Sequence, residues 1–186
     1  MNSRIARAWD GSGVRRLLGC GDNVNIGHGV IITDPSKVTM GDNVRIDPYV
    51  YLSGEVEIGS HVHICAGAVL GGRGGIRLGD WAFVGYGSKI FTGSEDYTYL
   101  VNETWGATNT DVRPVRFMDY SGVASNVIVM PGVILKNGTR IGANTFVHQS
   151  PEEDWTVYYG TPMRIAKRVD QTAVLREAHE LANTRP

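Results

Sequence analysis

Cysteine, phenylalanine and long apolar stretches are all scarce in this 186-residue chain. Each scarcity removes a class of protein. Two cysteines, Cys20 and Cys65, are too few for a disulfide framework. They fall at core or near-core positions and read as free thiols in a reducing cytoplasm. No apolar run approaches the ~20 residues of a spanning helix, and the opening MNSRIARAWDGSG lacks the apolar segment of a secretory signal, so no membrane insertion is expected. The formal net charge of −1 and the lack of a Lys/Arg block give nucleic acid nothing to bind. Glycine, by contrast, is abundant, with 24 residues, and its placement is regular.

An aliphatic or other apolar side chain returns every six positions. It runs from Cys20 to Ile26 and Ile32, then through Met40, Ile46, Leu52, Ile58, Ile64 and Leu70, and on to Leu78, Val84 and Ile90. After a break it resumes at Phe117, Val123, Val129, Leu135, Ile141 and Val147. The next position is usually small: Gly21, Gly27, Gly41, Gly59, Gly79, Gly85, Ala124 and Gly142. A helix would repeat at three and four and a hairpin strand at two. Period six with a small neighbour suits a solenoid in which each hexad forms one short flat strand and a corner, and three hexads close one triangular coil. The slips at TDPSKV and GGRGGI read as bulged corners. GGRGG lacks the context of a phosphate loop and is taken as a tight corner. The expected layout is an N-terminal cap over 1–19, a solenoid over 20–150 with an inserted loop over 92–116, and a C-terminal segment over 151–186. The stretch IAKRVDQTAVLREAHELANTR within that last segment has helical composition and spacing.

The stretch VASNVIVMPGVILKNGTRIGANTFV, followed by WTVYYGTPMRIAKR, resembles the closing coils and tail of the hexapeptide-repeat acyltransferases, and most closely their sugar acetyltransferases. The resemblance implies a left-handed parallel β-helix, a homotrimer with active sites in the clefts between subunits, and acetyl-CoA as donor with no catalytic metal. The acceptor it implies is a hydroxyl or amine of a sugar or nucleotide-linked sugar in surface-polysaccharide synthesis.

Acetyl transfer needs a base for the acceptor's proton, a donor for the oxyanion and in-line positioning of both substrates. In many related sugar acetyltransferases the base is a histidine in the interrupting loop, and that position falls here on Glu95. Three readings follow. Glu95 or Asp96 replaces the histidine; or His63, at an outward corner beside Arg45 and Phe83, serves as base, since imidazole titrates near neutrality; or an amine acceptor sheds its own proton. His63 with Glu95 or Asp96 near the acceptor is the preferred reading. His28 and His61 read as solvated or stacked, and His148 as packed near the end of the prism. Tyr97, Tyr99 and Trp105 in the inserted loop suit an acceptor site, with ring faces for sugar C–H surfaces. The resemblance places the donor along Ala124 and Gly142, whose small size lets a thioester approach the backbone. Arg164, Lys167 and Arg168 match the basic tail that meets CoA phosphates. A zinc site as in prism-shaped carbonic anhydrases needs an HxxxxH spacing, but Thr33 and Ala68 stand where the second histidine would fall. The rival from another class is a hexapeptide-repeat binding scaffold that has lost its base.

Overall fold

The structure is a computed structural model that describes residues 19–95 and 110–184. It is a left-handed parallel β-helix followed by a C-terminal helix. Its three faces are three ladders. On the first, Cys20, Met40, Ile58, Leu78, Phe117 and Leu135 stack in parallel register. On the second, the ladder runs Ile26, Ile46, Ile64, Val84, Val123, Ile141 and Tyr158. On the third it runs Ile32, Leu52, Leu70, Ile90, Val129 and Val147. All of these side chains but the partly buried Cys20 are buried and form one continuous core. Burying an aliphatic of this size stabilises the fold by about 1.5–3 kcal/mol, so the stack of hexads is itself the driving force for folding.

The corners explain the small residues. A β-carbon on Gly41 would come within 2.8 Å of the Ser60 backbone nitrogen, and one on Gly85 within 2.7 Å of the Ala124 carbonyl oxygen. Side chains also tie neighbouring coils at this edge: Asp22 N–H donates to Asp42 Oδ1, Asp42 N–H to Ser60 Oγ, and Ser60 N–H to Asp80 Oδ1. Two residues further on, the chain turns through the left-handed region. Asn23, Asn43 and Gly138 hold it at φ 56°, 57° and 62°, whereas His61, Trp81, Tyr120 and Trp155 hold it with bulky rings. Such residues rarely adopt positive φ. Stacking compensates: the His61 ring lies 4.1 Å from Trp81, nearly parallel, and Trp81, Tyr120 and Trp155 continue the column.

The slip at TDPSKV is a 3-10 turn over Pro35–Lys37 rather than a bulge. Asp34 caps it by accepting from Ser36 N–H and Ser36 Oγ, and Pro35 sits at the first position, where no N–H is needed. At GGRGGI the strand Val69–Leu78 continues around the corner, beside Tyr51–Ile58 with a register shift between Gly54 and Val56. The insertion leaves the third face as an antiparallel ribbon, Gly93–Glu95 against Thr110–Val112, and the coil resumes at Val115–Phe117. Its root is pinned by buried Thr92, whose hydroxyl donates to Gly71 C=O and accepts from Gly74 N–H.

The helical reading of the tail is corrected over its first residues. Arg164–Arg168 is a strand paired antiparallel to Thr156–Tyr159, because the last coil presents an open edge that this segment covers. The helix, α1, spans Gln171–Thr184. No helix among the described residues is long and apolar enough to cross a membrane. The expected N-terminal cap lies, apart from Gly19, outside the described residues.

Candidate active site

The second face carries most of the candidate residues that the structure describes. Outward of each inward aliphatic it shows Asn25, Arg45, His63, Phe83, Gly122, Arg140 and Val157 in register. His63 therefore stands between Arg45 and Phe83, as the hexad spacing requires. Its Nε2 lies 3.0 Å from Asp47 Oδ2, while Arg45 Nε donates to Asp47 Oδ1 at 2.7 Å. Phe83 meets the imidazole edge to face, with centroids 5.6 Å apart. The Asp47 side chain is 8% exposed and that of His63 32%, so the carboxylate is internal and the imidazole reaches solvent.

Asp47 escaped the sequence reading, although a signal was present. It follows the inward Ile46, in the slot that Gly27, Gly85, Ala124 and Gly142 fill in other coils. A carboxylate in a small-residue slot costs desolvation unless it is paired. Burial pushes the Asp47 carboxyl up, but the hydrogen bonds from His63 and Arg45 outweigh it and hold the group below the usual carboxylate range. One coil on, the same slot holds Cys65, with Sγ 3.8 Å from His63 Nε2. Burial and the nearby Asp47 raise the Cys65 thiol, which argues against a nucleophile. Donor atoms of Asp47, His63 and Cys65 lie within 4.8 Å of one another, a spacing a metal ion would accept. The Arg45 guanidinium on Asp47 already supplies the positive charge there, which disfavours a cation.

Above Phe83 the face hollows out. Gly122 leaves a gap in the outward ladder, and a cavity of about 250 Å³ is lined by Trp81, Phe83, Tyr120, Ala124 and Arg140. Ala124 is thus brought onto the same face as His63. The backbone amides of both expected donor-site residues are already used: Ala124 N–H donates to Ile141 C=O and Gly142 N–H to Tyr158 C=O. Ala124 offers space instead, whereas Gly142 lies close beneath Tyr159. Arg164, Lys167 and Arg168 are exposed on the strand that ends this sheet. Arg168 is tied to Glu153 and donates to Thr156 Oγ1.

Glu95 is placed elsewhere. It ends the ribbon strand Gly93–Glu95, exposed, on a different sheet from His63. Within one chain one sheet carries His63, Ala124 two coils on, and the basic strand at its far end, but not Glu95. Asp96, Tyr97, Tyr99 and Trp105 lie outside the described residues. Of the other histidines, His61 stacks on Trp81, His28 meets Tyr49 edge to face and His148 stacks on Phe146.

The bacterial transferase hexapeptide family (six repeats) matches residues 37–72. A point mutant of AntD, an N-acyltransferase from Bacillus cereus solved with dTDP and coenzyme A, superposes with a TM-score of 0.83 at 30% identity, over 99% of this chain and 100% of that one. The chain belongs to the hexapeptide-repeat acyltransferases. Within this family, AntD with dTDP and 3-hydroxybutyryl-CoA matches with a TM-score of 0.78 and 26% identity over 98% of each chain. The dTDP-4-amino-4,6-dideoxy-D-glucose acyltransferase of Escherichia coli is 28% identical over 151 residues, 77% of this chain and 78% of the relative.

Proposed function

We propose that the protein moves an acetyl group from acetyl-CoA to the sugar of a nucleotide-linked acceptor, with His63 as general base and without a metal. It works as a homotrimer in the cytoplasm. The observation that carries this reading is the buried Asp47 carboxylate holding a partly exposed His63, one coil below Phe83, which lines the hollow shared with Ala124 on the same face. The acceptor's nitrogen or oxygen attacks the thioester carbon, His63 takes its proton, the C–S bond breaks, and the CoA thiolate leaves and is reprotonated. An amine is the first acceptor to test, because the relatives are named for an amino sugar and for N-acyl transfer.

In this reading Glu95, Asp96, Tyr97, Tyr99 and Trp105 of the inserted loop serve the acceptor, with carboxylates for its hydroxyls and ring faces for its C–H surfaces. Arg164 and Lys167 meet the CoA phosphates; Arg168 serves mainly to fix its own strand through Glu153. The third face shows Ile31, Tyr51, Val69, Lys89, Ile128 and Phe146 outward, a mainly apolar ladder with Lys89 at its middle, suited to contact between subunits.

Incubation with acetyl-CoA and a panel of sugars, amino sugars and nucleotide-linked amino sugars, followed by a thiol reagent for released CoA, tests the reading. Release with a nucleotide-linked amino sugar supports it. Binding of CoA with no release across the whole panel favours a scaffold.

A further inference from the structure

The proposed base has two ring nitrogens, and only one can abstract a proton. We infer that Asp47 is a positioning residue that keeps the proton of neutral His63 on Nε2, leaving Nδ1 as the basic atom, and that Arg45 enforces this choice. The inference rests on the reading of His63 as base, but its first test does not require turnover.

An ionised carboxylate only accepts hydrogen bonds. Asp47 Oδ2 sits 3.0 Å from His63 Nε2, so this nitrogen must donate. The other carboxylate oxygen accepts from Arg45 Nε at 2.7 Å. Both oxygens are therefore committed, and the carboxylate cannot rotate without losing one partner. Cys65 Sγ, 3.8 Å from the same Nε2, presents at most a weak acceptor or donor and does not compete with a charged oxygen. Phe83 against the ring resists a flip of the imidazole. With Nε2 turned inward on a side chain that is 8% exposed, the nitrogen left for a substrate is Nδ1. In the stack this arrangement is local. It needs a carboxylate in a slot that is otherwise small and an imidazole one coil above it, and Arg45 and His63 are register partners.

The bracket by Arg45 gives the inference an unusual test. In Asp47→Asn the guanidinium Nε–H, with Nε 2.7 Å from Oδ1 in wild type, favours the amide oxygen over the amide NH2, so the oxygen turns to Arg45 and the NH2 faces His63. His63 Nε2 must then accept, and the proton moves to Nδ1. The isosteric change thus removes the base without removing the histidine. In Arg45→Ala/Asp47→Asn the amide is free to rotate and to present its oxygen to Nε2 again.

The experiment is long-range 15N–1H NMR on 15N-histidine-labelled protein near pH 8, above the ordinary imidazole range, with the His63 signal assigned by its absence in His63→Gln. The expected result is an Nε2–H tautomer in wild type, an Nδ1–H tautomer in Asp47→Asn and a return toward Nε2–H in the double variant. Turnover should follow: kcat/KM falls about 10²–10⁴-fold in Asp47→Asn, as expected for loss of base catalysis, and recovers about tenfold or more in the double variant. A wild-type Nδ1–H tautomer overturns the inference, and needs no variant to be seen. An unchanged tautomer in folded Asp47→Asn, or a flipped tautomer with undiminished kcat/KM, overturns it too. If the tautomers behave as expected but wild type acylates nothing in the acceptor panel, the proposed activity fails while the assignment of the proton stands.

Discussion

The second and third faces of the prism share one inward design and differ outward. Inward, Ile64 and Leu70 belong to adjacent hexads of one coil, and both are fully buried. Outward, the second face shows Arg45, His63, Phe83 and Arg140, with a carboxylate beneath, whereas the third shows Tyr51, Val69, Ile128 and Phe146 around Lys89. The inward residue specifies the solenoid, so outward positions are at liberty to vary from face to face. One face can then hold an imidazole and a hollow while its neighbour offers apolar surface. Chemistry enters a repeat protein through departures that the repeat tolerates.

Substitutions can separate these two roles. The largest effect is expected from His63→Ala, which should lower kcat/KM about 10²–10⁴-fold while weakening the fold to urea only by the hydrogen bond that buried Asp47 loses. The matching outward change on the third face, Val69→Thr, should leave kcat/KM within a few-fold of wild type. A stability loss in His63→Ala as large as its activity loss would merge the two roles. Next come the inward positions. Ile64→Ala and Leu70→Ala should each cost about 2–5 kcal/mol in urea unfolding, with no difference between faces. A marked asymmetry between them would show that the core is not shared equally.

Smaller effects belong to the third face and to Asp47. If the proposed trimer packs through the third face, replacing Tyr51 and Ile128 together by serine should raise its dissociation constant about tenfold or more, seen by sedimentation as subunits at low concentration. An unaltered trimer would assign the contact to another face. The Asp47 carboxyl is subject first to burial, which raises it, and then to His63 and Arg45, whose hydrogen bonds lower it below its unfolded value. A depressed folded pKa stabilises fully above the unfolded value of ~3.9 and is lost as pH falls through the lower folded one. Wild type should therefore lose stability more steeply than Asp47→Asn on acidification below about pH 4. Parallel curves would mean that the pairing contributes nothing to stability.

Much of the fold was legible because the hexad is a one-dimensional code: knowing that Ile46, Ile64 and Val84 fall one turn apart already stacks them. That same register placed His63 between Arg45 and Phe83. Asp47 was not legible in that way. Its contact with His63 spans 16 residues and depends on which side chain of the lower coil turns toward the upper one. The segment 165–168 misled for a related reason, since its composition favours a helix but the open edge at Thr156–Tyr159 captures it as a strand. Glu95 stands where the resemblance expects the loop histidine, yet spacing alone could not show that it lies on a sheet apart from His63.

The central claim is that acyl transfer uses the imidazole on the second face. Its most direct test is kcat/KM for acetyl-CoA-dependent acylation of a dTDP-linked amino sugar, compared between His63→Ala and Glu95→Gln. The account predicts a loss of about 10²–10⁴-fold for His63→Ala and a far smaller one for Glu95→Gln. The reverse order would move the base to the inserted loop and contradict it.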